Sequence, residues 1–447
     1  IEDGCITQVK VGYNQKYCTA PGKRVEDVTF RNVRYNGTIP NLSVINGYDM
    51  DHRIHNVTFE GLKVNGQIVH DDIPGKPRWY ATSDYVPMLV GNHVSGVVFT
   101  KDIGQFNVNQ QLSYCSSQVD RALQNLRPYD FTMMPRNILD GEQTWNCRKA
   151  KAEEWCSGFW PGILWMAFDY NQSEAVKKAA LGYTNAIVPI VKQPVYDHDL
   201  GFITINAFLK GYEQTKDESY KRLALQAADS LATLFNEKVG TILSWPRHVK
   251  DYGGHNTIMD NMINLELLLW ATENGGSNRL KDMAVRHAET TMKNHFRPDG
   301  SCYHVAVYDT IDGHFIKGVT HQGYSDESMW SRGQSWAIYG YTMVYRYTKD
   351  KRFLEHAQKV TDIYLKRLNE TSDDWIPIWD MDAPLGQREK DASAACVVAS
   401  ALIELSQYVD AEKGKEYREA AISMLRDLST DRYQSRSNNV ALLMHST

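Results

Sequence analysis

The chain reads as a mainly α protein, an (α/α)6 barrel preceded by a small, partial right-handed parallel β-helix segment. Three observations predict this. Strand-like sequence recurs at a spacing of about thirty residues in the opening stretch; helical patterns follow one another from Phe106 onward; and those patterns alternate between helices apolar on one side and helices apolar nearly all round. One-sided helices suit an outer ring and all-round apolar ones a buried inner ring. Two concentric rings of paired helices are the barrel.

In residues 1–105, Val25, Val28, Phe30 and Val33 of "VEDVTFRNVRYNG" return as Ile54, Val57, Phe59 and Leu62 of "IHNVTFEGLKVNG", with a weaker copy, "VSGVVF", from Val94. Apolar alternation closed by Asn-Gly predicts short strands and tight turns, and the recurrence predicts stacked coils. This stretch resembles the last coils of the polygalacturonase-like solenoids of glycoside hydrolase family 28, without that family's active-site aspartate motifs. "HDD", His70 to Asp72, reads as a solvated loop, and the segment as a structural platform.

Residues 106–447 form the second predicted domain. Helical patterns cover 106–126, 156–170, 173–191, 199–215, 218–236, 256–274, 278–296, 326–349, 351–368, 391–409 and 412–430. "ESYKRLALQAADSLATLF" from Glu218 has Leu223, Ala227, Leu231 and Leu234 on one side, whereas "DASAACVVASALIEL" from Asp391 is apolar nearly all round. Eleven patterns fall one short of six pairs, so a twelfth helix is expected after Thr447, unless another element closes the ring.

Composition narrows the function. A formal charge of -5 offers no basic footprint for nucleic acid, and no apolar run approaches the ~20 residues that span a bilayer, so neither nucleic acid nor membrane is an expected partner. Seven cysteines lack the short paired spacings of a zinc site. Cys5 with Cys18, or Cys147 with Cys156, are the pairings open in an oxidising compartment. Oligomeric state is not legible.

In an up-and-down helical order every second helix starts at the same end. Four such starts carry an aspartate: Asp199 in "DLGF", Asp260 in "IMDN", Asp326 in "SDES" and Asp391 in "KDAS". Capping of the helix N-terminus accounts for Asp326 and Asp391. Asp199 and Asp260 carry more, because His198 precedes the first and the irregular "RHVKDYGGHN", with His255, leads into the second. Trp155, Trp160, Trp245, Trp330 and Trp336, with Tyr252, Tyr303 and Tyr324, fall near the same ends, and flat rings suit the apolar face of a sugar. His304, Gln322, Arg332 and Gln334 add donors for hydroxyls and for a carboxylate.

In this order, "WCSGFWPGILW", "HDLGF", "IMDNMINLELL", "HQGYSDESMWSRGQSWAIYG", "PIWDMDAP" and "KDASAA" resemble the unsaturated glucuronyl hydrolases of glycoside hydrolase family 88, over roughly residues 113–445. "RGQSW" sets them apart from unsaturated rhamnogalacturonyl hydrolases. The resemblance implies that Asp260 is the general acid and base and Asp199 a second carboxylate holding sugar hydroxyls. It also implies that His198, Trp245, His304, Gln322, Arg332 and Trp336 contact substrate, together with Trp155 or Trp160. The implied substrate is an oligosaccharide ending in an unsaturated uronic acid, hydrated at its C4=C5 bond without metal or organic cofactor. Such chemistry calls for a raised Asp260 pKa, from burial and repulsion by Asp199. The departure is at the tail, where family members continue past "LLMHST". Two other functions fit the residues: a conventional inverting glycosidase using Asp199 and Asp260, or a catalytically silent glycan-binding protein. Unsaturation erases the stereocentres at C4 and C5, so the sequence does not name the parent polymer.

Overall fold

A computed structural model describes residues 4–37, 41–77, 79–101 and 106–446. The chain divides into two compact units, Ile1–Ser117 and Gln118–Thr447. The expected boundary at residue 105 lies outside the described residues.

Among the described residues nine short strands build the first unit: β1 (Gln8–Lys10), β2 (Val25–Arg31), β3 (Arg34–Tyr35), β4 (Ser43–Asn46), β5 (Ile54–Glu60), β6 (Lys63–Val64), β7 (Gln67–Ile68), β8 (Met88–Val90) and β9 (Val94–Thr100). Strands β2, β5 and β9 pair in parallel, as do β1, β4 and β8, and as do β3 and β6. The register superposes the sequence repeats: Val25 lies beside Ile54 and Ile54 beside Val94, while Phe30, Phe59 and Phe99 fall in line. Their rings stack at 5.0 and 4.9 Å. Parallel in-register pairing brings like side chains together, so the apolar positions of the repeat become one core containing Ile45, Ile54, Val57, Phe59 and Leu62. "HDD" departs from the solvated-loop expectation. Asp71 accepts the backbone N–H of Phe99 (2.9 Å) and the hydroxyl of Thr82, tying its turn to β9.

Eleven long helices run through the rest of the described chain: α1 (Val108–Asn125), α2 (Phe159–Asn171), α3 (Glu174–Ala186), α4 (Leu200–Thr204, Ile205–Leu209 as a π turn, and Lys210–Thr215), α5 (Glu218–Ala232), α6 (Asn261–Glu273), α7 (Asn278–Asn294), α8 (Ser331–Thr348), α9 (Lys351–Thr371), α10 (Ala392–Leu405) and α11 (Ala411–Leu428). From α2 on, each even-numbered helix packs on the next helix in sequence, and the even-numbered helices pack on one another in the order α2, α4, α6, α8, α10. Their burial follows: in α6, nine residues from Asn261 to Ala271 are buried, whereas α7 buries one stripe, Leu280, Met283, Ala284, His287, Ala288 and Thr291. The inner and outer assignment thus comes from the apolar pattern itself. Among the described residues no twelfth long helix follows α11. Chain from 431 to 446 returns to α1, where the Gln118 amide donates to the Ala441 carbonyl (2.7 Å).

Two expected helix starts are corrected. His255–Ile258 is a strand, not the first turn of α6, and it pairs antiparallel with Val305–Tyr308, which pairs in turn with Phe315–Val319. Residues 326–330 are loop, and α8 begins at Ser331. Cys5, Cys18, Cys147 and Cys156 form no disulfide, so neither candidate pairing is formed.

Candidate active site

The helix starts separate into two kinds. Ser173, Asp217, Ser277, Asp350 and Asp410 cap the outer helices α3, α5, α7, α9 and α11 with side-chain hydrogen bonds. Asp199 and Asp260 occupy the same position before α4 and α6 and make no cap bond, so their carboxylates are spared for other work. Asp391 does cap, accepting the N–H of Ala394 (3.1 Å), and also binds Arg332 (2.5 Å). Asp326 caps nothing: it accepts the N–H of Thr320 (2.8 Å) within the loop before α8.

Close approach of α4 and α6 brings the two carboxylates together. At Gly201 a Cβ would lie 2.3 Å from Oδ1 of Asn264 on α6, so only glycine lets the helices meet. The Asn264 amide donates to Nδ1 of His198 (3.0 Å), which leaves Nε2–H of that ring toward Asp199 Oδ1 at 3.5 Å. Asp260 follows the strand His255–Ile258, and His304 precedes its antiparallel partner. Pairing of Ile258 with Val305, and the bond from Met259 N–H to the His304 carbonyl (3.0 Å), put both residues at one end of the sheet. Nδ1 of His304 accepts the backbone N–H groups of His321 (3.2 Å) and Gln322 (3.1 Å). Nε2 of the same ring faces Asp260 Oδ2 at 3.5 Å. The result is two partly buried carboxyls, Asp199 beside Nε2 of His198 and Asp260 beside Nε2 of His304.

Electrostatics split the pair against expectation. Burial first, then repulsion by Asp260, pushes Asp199 up to about 7, with Arg247 opposing. Burial also raises Asp260, but His304 and His198 beside it outweigh burial and hold it below the usual carboxylate range. The expectation that Asp260 carries the raised pKa is thus corrected: Asp199 is the carboxyl that is raised, and Asp260 is lowered because the histidines beside it favour its anion.

Aromatic rings wall the site. Trp245 meets His198 (6.3 Å), His304 (6.3 Å) and His321 (4.8 Å) and lies nearly parallel to Tyr252. Trp330 packs on His304 (4.3 Å) and carries the Arg332 guanidinium over its face. Trp336 contacts Phe202, which continues to Phe159 and to Trp155, 42% exposed. Trp160 is placed elsewhere. It is 5% exposed and packs on Trp145 and on Tyr183 of α3, so of the two candidates Trp155 belongs to the open wall. Gln322 is exposed next to His304. Gln334 and Tyr303 are structural: Gln334 bonds Cys302 N–H and the Gly300 carbonyl, and Tyr303 packs between Arg297 and Phe315. Asp380, from "PIWDMDAP", accepts Tyr324 N–H and the Ser328 hydroxyl and so fixes the loop that carries Gln322.

Sequence reading passed over Asp197, Arg247, Asn264 and Phe202. The two-residue spacing of Asp197 and Asp199 was the available signal, and nothing local marks the other three.

Paired helices that bring two uncapped, partly buried carboxyls together beside aromatic rings suit a carbohydrate-active hydrolase. Residues 132–438 match the profile of Glycosyl Hydrolase Family 88, and the chain belongs to that family. It is 39% identical over 303 residues to an unsaturated glucuronyl hydrolase of Formosa agariphila, covering 67% of this chain and 74% of that one. Its fold matches the crystal structure of an unsaturated glucuronyl hydrolase specific for heparin with a TM-score of 0.69 and 37% identity, over 76% of this chain and 88% of that one. An Asp-to-Asn variant of a Streptococcus agalactiae unsaturated glucuronyl hydrolase, complexed with dGlcA-GalNAc6S, matches with a TM-score of 0.59 and 27% identity, over 72% and 80% of the two chains.

Proposed function

We propose that the protein hydrates the C4=C5 bond of a terminal unsaturated uronic acid on oligosaccharides left by uronate-cleaving lyases. What carries this reading is the pair of uncapped carboxyls, Asp199 and Asp260, each beside a histidine Nε2, in a chain of this family. The C4=C5 bond is part of a vinyl ether, which is protonated on carbon. An acid is needed over C4, and protonation there leaves an oxocarbenium-like centre at C5. Water adds to C5, the hemiketal opens to a ketone, and the hemiacetal left at C1 releases the partner sugar. Cleavage follows hydration, unlike the displacement at the anomeric carbon in ordinary glycosidases.

Asp260 is assigned the proton donor and, once ionised, the base that activates water; Asp199 is assigned the sugar hydroxyls. An anionic sugar that expels water from the pit raises Asp260 by desolvation and repulsion, the direction the chemistry needs. Nε2–H groups of His198 and His304 remain available as donors. Trp245, Trp336 and Trp155 supply faces for the ring, Gln322 a polar rim, and Arg332, anchored by Asp391, a fixed cation. One observation favours a second reading with the two roles exchanged: Asp199 is the carboxyl pushed up to about 7.

The test is loss of ultraviolet absorbance from lyase-generated disaccharides, with saturated glycosides left intact. Absorbance that stays constant while saturated glycosides are cut would replace this reading with conventional glycosidase chemistry. Comparing Asp260→Asn with Asp199→Asn orders the roles: the assigned order predicts the larger loss of kcat in the former, and the exchanged order the reverse.

The first unit is assigned to a parallel β-helix segment serving as a platform. Its five parallel strand pairings and the Phe30, Phe59, Phe99 stack support that reading. The second unit is assigned to an (α/α)6 barrel, supported by the neighbour order of α2 to α11.

A further inference from the structure

Asp197 is 3% exposed and lies two residues before Asp199. One of its oxygens accepts the Asp199 backbone N–H (3.0 Å), and the other accepts Nη1 of Arg247 (2.7 Å). Arg247 belongs to the turn directly after Trp245, its guanidinium rests on the Tyr196 ring at 4.9 Å, and its side chain is 39% exposed at the rim. A second link joins the same two segments, from His198 N–H to the Ser244 carbonyl (3.2 Å). Asp199 makes no cap bond of its own, so its place at the start of α4 depends on what grips its backbone.

We propose that Asp197 and Arg247 form a positioning clamp for Asp199, in which Asp197 holds the Asp199 amide and Arg247 holds Asp197, so that the loop carrying Trp245 sets the location and charge of the second carboxylate. This rests on the hydration reading above and extends it to two residues outside the assigned catalytic set. The groups facing Asp199 are Asp260 from α6, His198 from its own segment, and Arg247 and Asp197 of the clamp. Asp260 is faced by His198 and His304, and His248 and His321 pack around Trp245 beyond them. Arg247 is the one cation named among them that carries its charge throughout the neutral range, and Asp197 spends part of that charge.

The two partners therefore act in opposite directions. Arg247→Gln removes a cation that favours ionised carboxyls, so the acid limb of the kcat/KM profile moves up by about 0.5–1 pH unit. Asp197→Asn keeps an oxygen for the Asp199 N–H but frees the Arg247 charge toward Asp199, so the limb moves down by a similar amount. Arg247→Lys keeps the charge, leaves the limb near the wild-type value, and provides a folded reference if Arg247→Gln is poorly stable. Opposed shifts with wild-type-like rescue by lysine are the expected result. Limbs that stay in place in all three variants, with only thermal stability lowered, would overturn the clamp. Absence of double-bond hydration by the wild type would instead overturn the functional reading, and 13C titration of the Asp199 carboxyl in the same variants would still decide the clamp.

Discussion

Asparagine at position 260 keeps the size of the side chain and removes the proton that the reaction moves. Asp260→Asn is expected to lower kcat at least 100-fold, within the roughly 10²–10⁴-fold range of acid–base assistance, while a competing unsaturated disaccharide still binds. Steady-state rates with inhibition by that disaccharide check both parts; more than a hundredth of wild-type turnover would remove Asp260 from the role. At this scale the sequence singles out His198, Asp199 and Asp260, because they stand at helix starts in recognisable company. It was silent on their inequality. The orientation of the His304 ring comes from backbone N–H groups of His321 and Gln322, and the elevation of Asp199 comes from burial and Asp260. Distances between segments set both effects, and no residue spacing records them.

The approach of α4 to α6 turns on a single missing side chain. Gly201→Ala would place a Cβ 2.7 Å from that of Asn264 and closer still to its oxygen, forcing apart the contact that orients His198. A loss of about 1–3 kcal/mol in stability is expected, with a fall in kcat beyond what the stability change explains. Thermal melts and activity measured on the same preparation check it, and wild-type values in both would show that α6 yields. Long helices were legible from their apolar periodicity, and all eleven patterns have their helix. The strand His255–Ile258 was not. Its partner begins at Val305, and a four-residue strand buried on both faces has no periodicity to distinguish it from the start of the helix that follows. Loop 326–330 was mistaken for helix for a related reason: Asp380 and Asp382, far along the chain, hold it in place by accepting from Tyr324, Ser328 and Met329.

Taken whole, the second unit buries imidazoles that it keeps neutral. Burial lowers His255 to about 4 and His295 to about 3, and holds His287 well below its usual value. Below about pH 6.5 the unfolded chain binds protons at these positions and the folded one does not. Stability therefore falls with pH at about 1.4 kcal/mol per unit for each. Asp199 acts the other way: its folded pKa is raised, so stability is lost as pH climbs from the ordinary aspartate range toward 7. Three histidines outweigh one aspartate, and the melting temperature should drop by several degrees per unit from pH 6.5 to 5 and level off above 7. A melting temperature unchanged between pH 7 and 5 would contradict neutral burial of these rings.

The sequence by itself determined the succession of helices, the recurrence that pairs β2, β5 and β9, and the acidic and aromatic residues available to a sugar. Each of these is written in local periodicity or in residue type. Only the tertiary structure decided that Asp199 and Asp260 go uncapped while Asp391 caps α10, that Trp155 is exposed and Trp160 in the core, and which of the two carboxyls is raised. Those outcomes depend on which groups lie within a few ångströms of one another across the fold, and electrostatic energy follows that distance and the polarity of the medium between, whatever the separation along the chain.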